Sequence, residues 1–479
     1  MNKHRNRELL YQALRKQTDI RISQKHYYFH DENQELVFFY CPGLIDNELY
    51  FNTLLPSVRH LAEQGHMNDI KIINRYLEVE ELHDYLQKLE DINSGIFSGF
   101  IYIYHSQSDK LYVIQLAKLP ERAIDESNME VSLRGPRDGF VENIDTNLSL
   151  LRMRLKSNHL CSKSYLIGTT SKTRVLLLYL DNLIKPDILE NVQNKLDVID
   201  VDVITSSYHI EELLYDKTSA LFPLIDYTGR PDFVVNSLNQ GRFAVLVDGS
   251  PSCLIGPVNL LLLLKAPEDD QTSFIYGSFS RILRVLSLFT SIFLPGFWIA
   301  LTVHQLNQLP FPLLASISTS KIGLPVSSSI EIFIMLIFFD LFREAGVRLP
   351  KTVGQTVAVL GGLIVGDAAI RAGFTSPSTL VVGALTVISS YTLINQNILG
   401  NVFLLRIVTL IISSFFGMYG FFVCVLFLLT YISSLESFGR PYLSTLYKVN
   451  ALDMMKGFLK MPFKFKSKDH MYDARRKKE

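Results

Sequence analysis

Phe289–Val303 reads FTSIFLPGFWIALTV, a run without a single charge. It is the centre of an apolar stretch from about Phe279 to Val303. Four more follow: about Ser328 to Gly346, Gly354 to about Ala372, about Thr379 to Asn395, and a long one from Asn401 to about Ser434. Stretches of about 20 apolar residues match the thickness of a bilayer core. Five in succession argue against buried helices of a soluble protein. They predict an all-α polytopic transmembrane domain over 276–440 with about five hydrophobic segments.

The charges divide at the same place. The chain has 479 residues with 47 Lys+Arg and 47 Asp+Glu. From residue 276 onward lie 19 of those basic and 9 of those acidic residues, a net +10; the first 275 residues carry −10. An acidic globular front joined to a basic, apolar back excludes a single soluble domain. With no basic patch in the front, it also argues against nucleic-acid binding. The N-terminus, MNKHRNRELLYQALRKQTD, lacks an apolar core for a cleavable signal, so the front is expected on the cytoplasmic side. Arg281 and Arg284 precede the first span, and residues 441–479 form a basic tail expected to be cytoplasmic. Two inside ends need an even number of crossings, against five stretches. Either one stretch is re-entrant, or Pro310–Val326 dips into the membrane, or the tail is outside. The third stretch is the weakest spanner, because it holds Gln355, Asp367 and Arg371.

That third stretch carries a pattern. Gly354, Ala358, Gly362 and Gly366 recur every four residues, a strip of small side chains down one helix face that Gly361 widens. The strip serves either plain helix packing or a pore or subunit interface, with Gln355 and Asp367 as its polar members. Asp367 and Arg371 are spaced to pair. In the second stretch Glu331 stands near one end and Asp340, Arg343 and Glu344 near the other. With Arg371 these form a candidate membrane charge network: either a self-neutralised interfacial cluster or a gating or partner-binding device. Arg406 is placed to snorkel to an interface.

The front half reads as α/β, in two subdomains, 1–160 and 161–275. Residues 35–41 suit a strand, Leu55–Gly65 and Glu78–Leu89 suit helices, and 99–117 suit a hairpin around SQSDK. In SLRGPRDGFVENIDTNLSLLRMRLK, 132–156, Gly135-Pro136 breaks regular structure and a helix begins from Glu142. Arg134, Arg137, Arg152 and Arg154 make this piece locally basic, for an anion site or a salt-bridged junction. Strands are expected at 162–168, 174–180 and 199–205, helices at 186–197 and 208–215. The segment 230–257, RPDFVVNSLNQGRFAVLVDGSPSCLIGP, then gives a helix and two strands. There is no GxSxG, HExxH, P-loop or GxGxxG motif. The histidines are scattered, and Cys41, Cys161, Cys253 and Cys424 lie far apart with no metal-ligand spacing. No enzyme, metal or cofactor is expected.

Three segments, SLRGPRDGFVENIDTNLSLLRMRL, RPDFVVNSLNQGRFAVLVDGSP and FREAGVRLPKTVGQTVAVLGGLIVGDAAI, resemble the A-subunit type of the GerA family of spore germination proteins. They match in order over roughly 130–440 and include Arg134, Gly135, Pro136 and Glu142, then Arg230, Pro231 and Asp232. The resemblance implies a multi-pass protein of the bacterial spore inner membrane. It also implies a transporter-like B subunit and a lipoprotein C subunit as partners, and a homo-oligomer in the lipid bilayer that releases ions as a ligand-gated channel. An accessory A-type channel of the late sporulation locus and a non-channel scaffold are the alternatives. Asp367 departs from the family pattern, where an uncharged polar residue such as Gln is expected.

Overall fold

The structure is a computed structural model, and it describes residues 8, 10–11, 14, 19–29, 32–118, 135–215, 220–348, 366–444 and 459–460. The chain divides into two compact units. An α/β unit takes the residues up to 215 together with 225–257, and a helical unit takes 220–224 and the residues from 258 to 460.

The α/β unit holds two five-stranded antiparallel sheets. In the first, β1 (Arg21–Phe29), β2 (Glu32–Tyr40), β4 (Phe100–His105), β5 (Lys110–Gln115) and β3 (Glu80–Leu82) lie in that order. The β4–β5 hairpin turns at the SQSDK signal. Alternation along β2 sends Leu36, Phe38 and Tyr40 to one core and Val37 and Phe39, with Cys41 just past the strand, to another, so the sheet is covered on both faces. Helix α1 (Leu55–Glu63) packs in the first core and α2 (Leu89–Ile96) in the second. The expected helix over 78–89 does not form. Glu80–Leu82 pairs with β5 instead, Glu80 opposite Val113, and Asp84 takes a left-handed φ of 54° that no helix interior accepts.

Helix α3 (Ile144–Arg154) leads to the second sheet. Asn143 caps it, its Oδ1 accepting the Thr146 N–H at 3.0 Å; Asp145 opens the helix and Arg152 and Arg154 close it, as the macrodipole favours. The second sheet runs β6 (Leu160–Ile167), β7 (Thr173–Leu180), β9 (Phe243–Val247), β10 (Cys253–Gly256), β8 (Asp226–Thr228). Helices α4 (Pro186–Val198), α5 (Ser207–Leu214) and α6 (Pro231–Leu238) accompany it. No strand forms at 199–205. Its carbonyls at Val201 and Asp202 are taken by Thr169, Thr170 and Ser171 of the β6–β7 turn, so the alternating sequence has no strand edge to join.

In the helical unit, α7 (Phe274–Ile299) continues as a wider turn to His304, followed by α8 (Phe311–Ser320), α9 (Ser328–Arg348), α10 (Pro377–Tyr391) and α11 (Gln396–Ser434). Among the described residues two helices, Phe274–His304 and Asn397–Ser434, are long and apolar enough to cross a membrane. Most of the third apolar stretch lies outside the described residues; 366–371 is helical.

The fifth stretch is not one straight helix. Gly417 has φ 57° and ψ −139°, a conformation only glycine adopts without strain. The chain then folds back, because a Cβ placed on Gly420 would lie 2.7 Å from the Ile412 carbonyl oxygen, eight residues earlier. Gly296 of α7 abuts Thr409 and Ser413 of the first arm, while Phe293 and Phe297 meet Phe421 of the second. So α11 is a pair of antiparallel arms, 396–416 and 418–434. The His304 ring fills the tip, its Nε2 donating to the Ser414 carbonyl, 2.9 Å away. Past the second arm, Ser437 Oγ donates to Leu224 O (2.7 Å) and Tyr442 Oη to Pro223 O (3.0 Å).

Candidate functional site

The cytoplasmic motif residues come together in the α/β unit. Arg230 is 1% exposed and forks onto Asp232 through Nε (3.0 Å) and Nη2 (2.7 Å). Pro231 begins α6, and Asp232 adds a negative charge to its first turn. The preceding carbonyl, Gly229, accepts the Phe140 N–H at 2.9 Å, and buried Asn147 holds both backbone groups of Val141. The two sequence motifs therefore form one corner where α3 meets α6. Glu142 is exposed there, and its carbonyl takes the Gly249 N–H. Gly135 and Pro136 lie in irregular chain, and Arg134 lies outside the described residues. Arg152 and Arg154 are engaged by Asp19 and Asp138, the arrangement of a junction rather than of an anion site.

Among the described residues, the candidate charged residues from α9 onward fall into three separate groups. At the start of α9, Glu331 is 1% exposed; its Oε1 accepts the Ser376 N–H, the Ser376 hydroxyl (2.8 Å) and the Thr375 hydroxyl (3.0 Å). This places the carboxylate on the N-terminus of α10, where Ser376 is the cap and Pro377 the first residue. Its Oε2 is buried without a partner. Nine residues along α9, Asp340 accepts from Arg406 and lies 3.7 Å from Arg343. Arg406 does not snorkel: it is 1% exposed, and its Nε is buried without a partner. Glu344 is exposed one turn on and has its own partner. The third group is Asp367 with Arg371, an exposed pair at 2.9 Å that touches neither of the others. Gly366 faces Leu380 of α10, where a Cβ would find 3.5 Å. Gly354, Gln355, Ala358, Gly361 and Gly362 lie outside the described residues.

Between the first two groups sits an apolar layer of Ile299, Ile332, Leu336, Val382, Val387 and Leu410. Helices α9 and α10 run the same way through it. Their starts meet at Glu331 and Ser376, and Tyr391, at the end of α10, lies within electrostatic reach of Asp340 and Arg343. The sequence offered Arg406 only as an isolated cation; its pairing with Asp340, 66 residues away, has no local signal.

At the base of α7, Asp269 is 2% exposed. Arg284 binds it through Nη1 (2.7 Å) and Nη2 (2.8 Å), Arg281 Nε lies 3.2 Å away, and the Ala266 N–H adds 3.1 Å. Burial works to raise this carboxyl, but the two guanidiniums and the amide outweigh it and hold it below the usual carboxylate range. Among the described residues no cluster of His, Cys, Asp and Glu has the make-up of a metal site. Burial pushes the Cys41 thiol up to about 12, an inert group at neutral pH.

The family described as Bacillus/Clostridium GerA spore germination protein matches residues 8–472. The chain is 37% identical over 466 residues to spore germination protein XA of Bacillus anthracis, covering 96% of this chain and 94% of that one. It is 31% identical to spore germination protein KA of Bacillus subtilis (strain 168), covering 90% and 79%. With the membrane protein YfkQ of the same organism it shares 32% identity over 88% and 82%. Among solved structures, the N-terminal domain of the A subunit of the Bacillus megaterium spore germinant receptor GerK3 aligns with a TM-score of 0.40 and 24% identity, covering 53% of this chain and 93% of that domain. With the match running nearly end to end, the chain belongs to the GerA family of spore germination proteins, as a member of its A-subunit type.

Proposed function

We propose that this chain is the A subunit of a spore germinant receptor, a multi-pass protein of the spore inner membrane. It oligomerises, works with a transporter-like B subunit and a lipoprotein C subunit, and passes germinant sensing on as ion release through a ligand-gated channel. The observation that carries this reading is the pair of buried charge sites, Glu331 and Asp340–Arg406, on either side of an apolar layer. Ionisable groups buried among membrane helices are costly and mark sites that act on charge or on partners.

The fold-back of α11 supports a cytoplasmic α/β unit. Crossings by α7, α9, a return before α10, α10 itself and the two arms of α11 make six, the even number that two inside ends demand. We read the strip Gly354, Ala358, Gly362 and Gly366 as a pore or helix interface, with Asp367 in the conduction path. In liposomes the purified full-length protein should raise cation leak above that of empty vesicles. Asp367→Asn should lower that leak, and Asp367→Lys should favour anions or abolish it. Leak equal to empty vesicles for all three would leave the scaffold reading in its place. An accessory A-type homologue is the second reading; neighbouring genes for B and C subunits would exclude it.

A further inference from the structure

The chain leaves β10 through Leu260–Leu263 and a 3₁₀ turn, Pro267–Gln271, before Ser273 caps α7. Two devices fix the angle between this connector and the helix. One is internal: the fork of Arg284 on Asp269, with a second bond from Arg284 Nη1 to Leu264 O at 3.1 Å. The other arrives from the C-terminal tail. Lys460 Nζ donates to the Asp270 carbonyl (3.1 Å) and to that of Thr272, both in the connector. Its backbone N–H donates to Ser278 Oγ (3.0 Å), and the Leu459 carbonyl accepts from Arg281 Nη1 (3.4 Å), both on α7. Gly277 provides the notch: a Cβ there would stand 2.9 Å from Lys460 Cδ.

We infer that Leu459–Lys460 is a detachable strap across the joint between connector and first membrane helix, and that its release lowers the threshold for opening. The geometry suits that task. The strap bonds both members of the joint, so it resists a change of angle rather than adding to either element alone. Leu459 and Lys460 are half-buried, whereas Asp269 is 2% exposed. Hydrogen bonds on half-buried residues open more readily than those of a sealed ion pair. The buried Asp269 fork remains when the strap leaves, so the joint loosens without coming apart.

Only the last step, the link to opening, rests on the receptor reading. The test is hydrogen exchange on the full-length protein in detergent, following residues 274–284, with Lys460→Ala and Gly277→Leu as strap variants. Lys464→Ala, which removes the same charge four residues on, is the control. Both strap variants should speed exchange there roughly tenfold, the size of one or two net hydrogen bonds, with 286–304 and the control unchanged. No acceleration, or equal acceleration in the control, would overturn the strap. In spores relying on this receptor, the germinant concentration for half-maximal response should fall about fivefold in both strap variants. Faster exchange with an unaltered threshold would overturn the regulatory step. Spores in which even the wild-type gene supports no germination would count against the receptor reading, while the exchange result still decides the strap.

Discussion

Arg152 and Arg406 are both sealed from solvent, yet the two units treat them differently. In the α/β unit Arg152 grips Asp19 through Nε (2.5 Å) and Nη2 (2.8 Å), reaches Ser157 O, and lies 4.1 Å over the Phe97 ring. In the helical unit Arg406 has the Asp340 contact through Nη2, a more distant Phe403 ring at 5.3 Å, and a buried Nε without a partner. Glu331 shows the same incompleteness at Oε2. A fully bonded buried ion is a structural element. A buried ion with part of its bonding unmet is the costlier one to hold in a single arrangement.

The strongest way to break this contrast is Arg152→Met. It strands the Asp19 carboxylate, which is 4% exposed, and should cost the α/β unit about 3–5 kcal/mol in denaturant unfolding. Arg152→Met with Asp19→Leu should recover most of that loss. Arg406→Met should cost less, about 1–3 kcal/mol, because Asp340 keeps Arg343 at 3.7 Å; its larger effect should appear in ion leak. Equal unfolding costs for the two arginine variants would erase the distinction.

The smallest effect concerns two carboxyls with opposite signs. Burial pushes Glu211 up, with the Tyr215 hydroxyl only partly opposing it. Its folded-state value lies above its unfolded one, so the α/β unit loses stability as pH rises from the ordinary carboxyl range, near 4.3, through the folded value. Glu211→Gln should remove that slope and stabilise by on the order of 1 kcal/mol at neutral pH. Asp269 is held low instead, so its contribution is present above the ordinary range and is lost as pH falls through its folded value. Unfolding curves between about pH 3 and 7, within the ordinary carboxyl titration range, should show the two slopes in opposite directions.

Much of this fold is legible from local signals. The SQSDK hairpin, the helix after Asn143 and the helix with two strands over 230–257 all follow from turn chemistry and alternation. The apolar lengths place α7, α9 and α10. Two of the misses share one cause, in that a distant partner decided the outcome. Glu78–Leu89 has helical spacing, but β5 claimed Glu80–Leu82. Residues 199–205 alternate like a strand, but the β6–β7 turn took their carbonyls. The fold-back at Gly417 was hidden because glycine is common in membrane helices and its neighbours are uniformly apolar. Of the candidate site, the charged residues of α9 were visible in sequence, and their sorting into separate groups was not. That sorting depends on Arg406 and Ser376, supplied by other helices.

The turn at Gly417 also bears on how the protein is made. As one rod, the 38 residues of Asn397–Ser434 would measure about 57 Å at 1.5 Å per residue, nearly twice a bilayer core of about 30 Å. Folded at Gly417, they become two arms of near-membrane length with almost no loop between them. A tip this short offers the insertion machinery no polar segment to export ahead of the second arm. In the proposed multi-pass arrangement the arms would then enter the bilayer as a preformed pair. A side chain at residue 417 would disturb that co-insertion, with the defect falling on biogenesis before any folded protein exists to be destabilised.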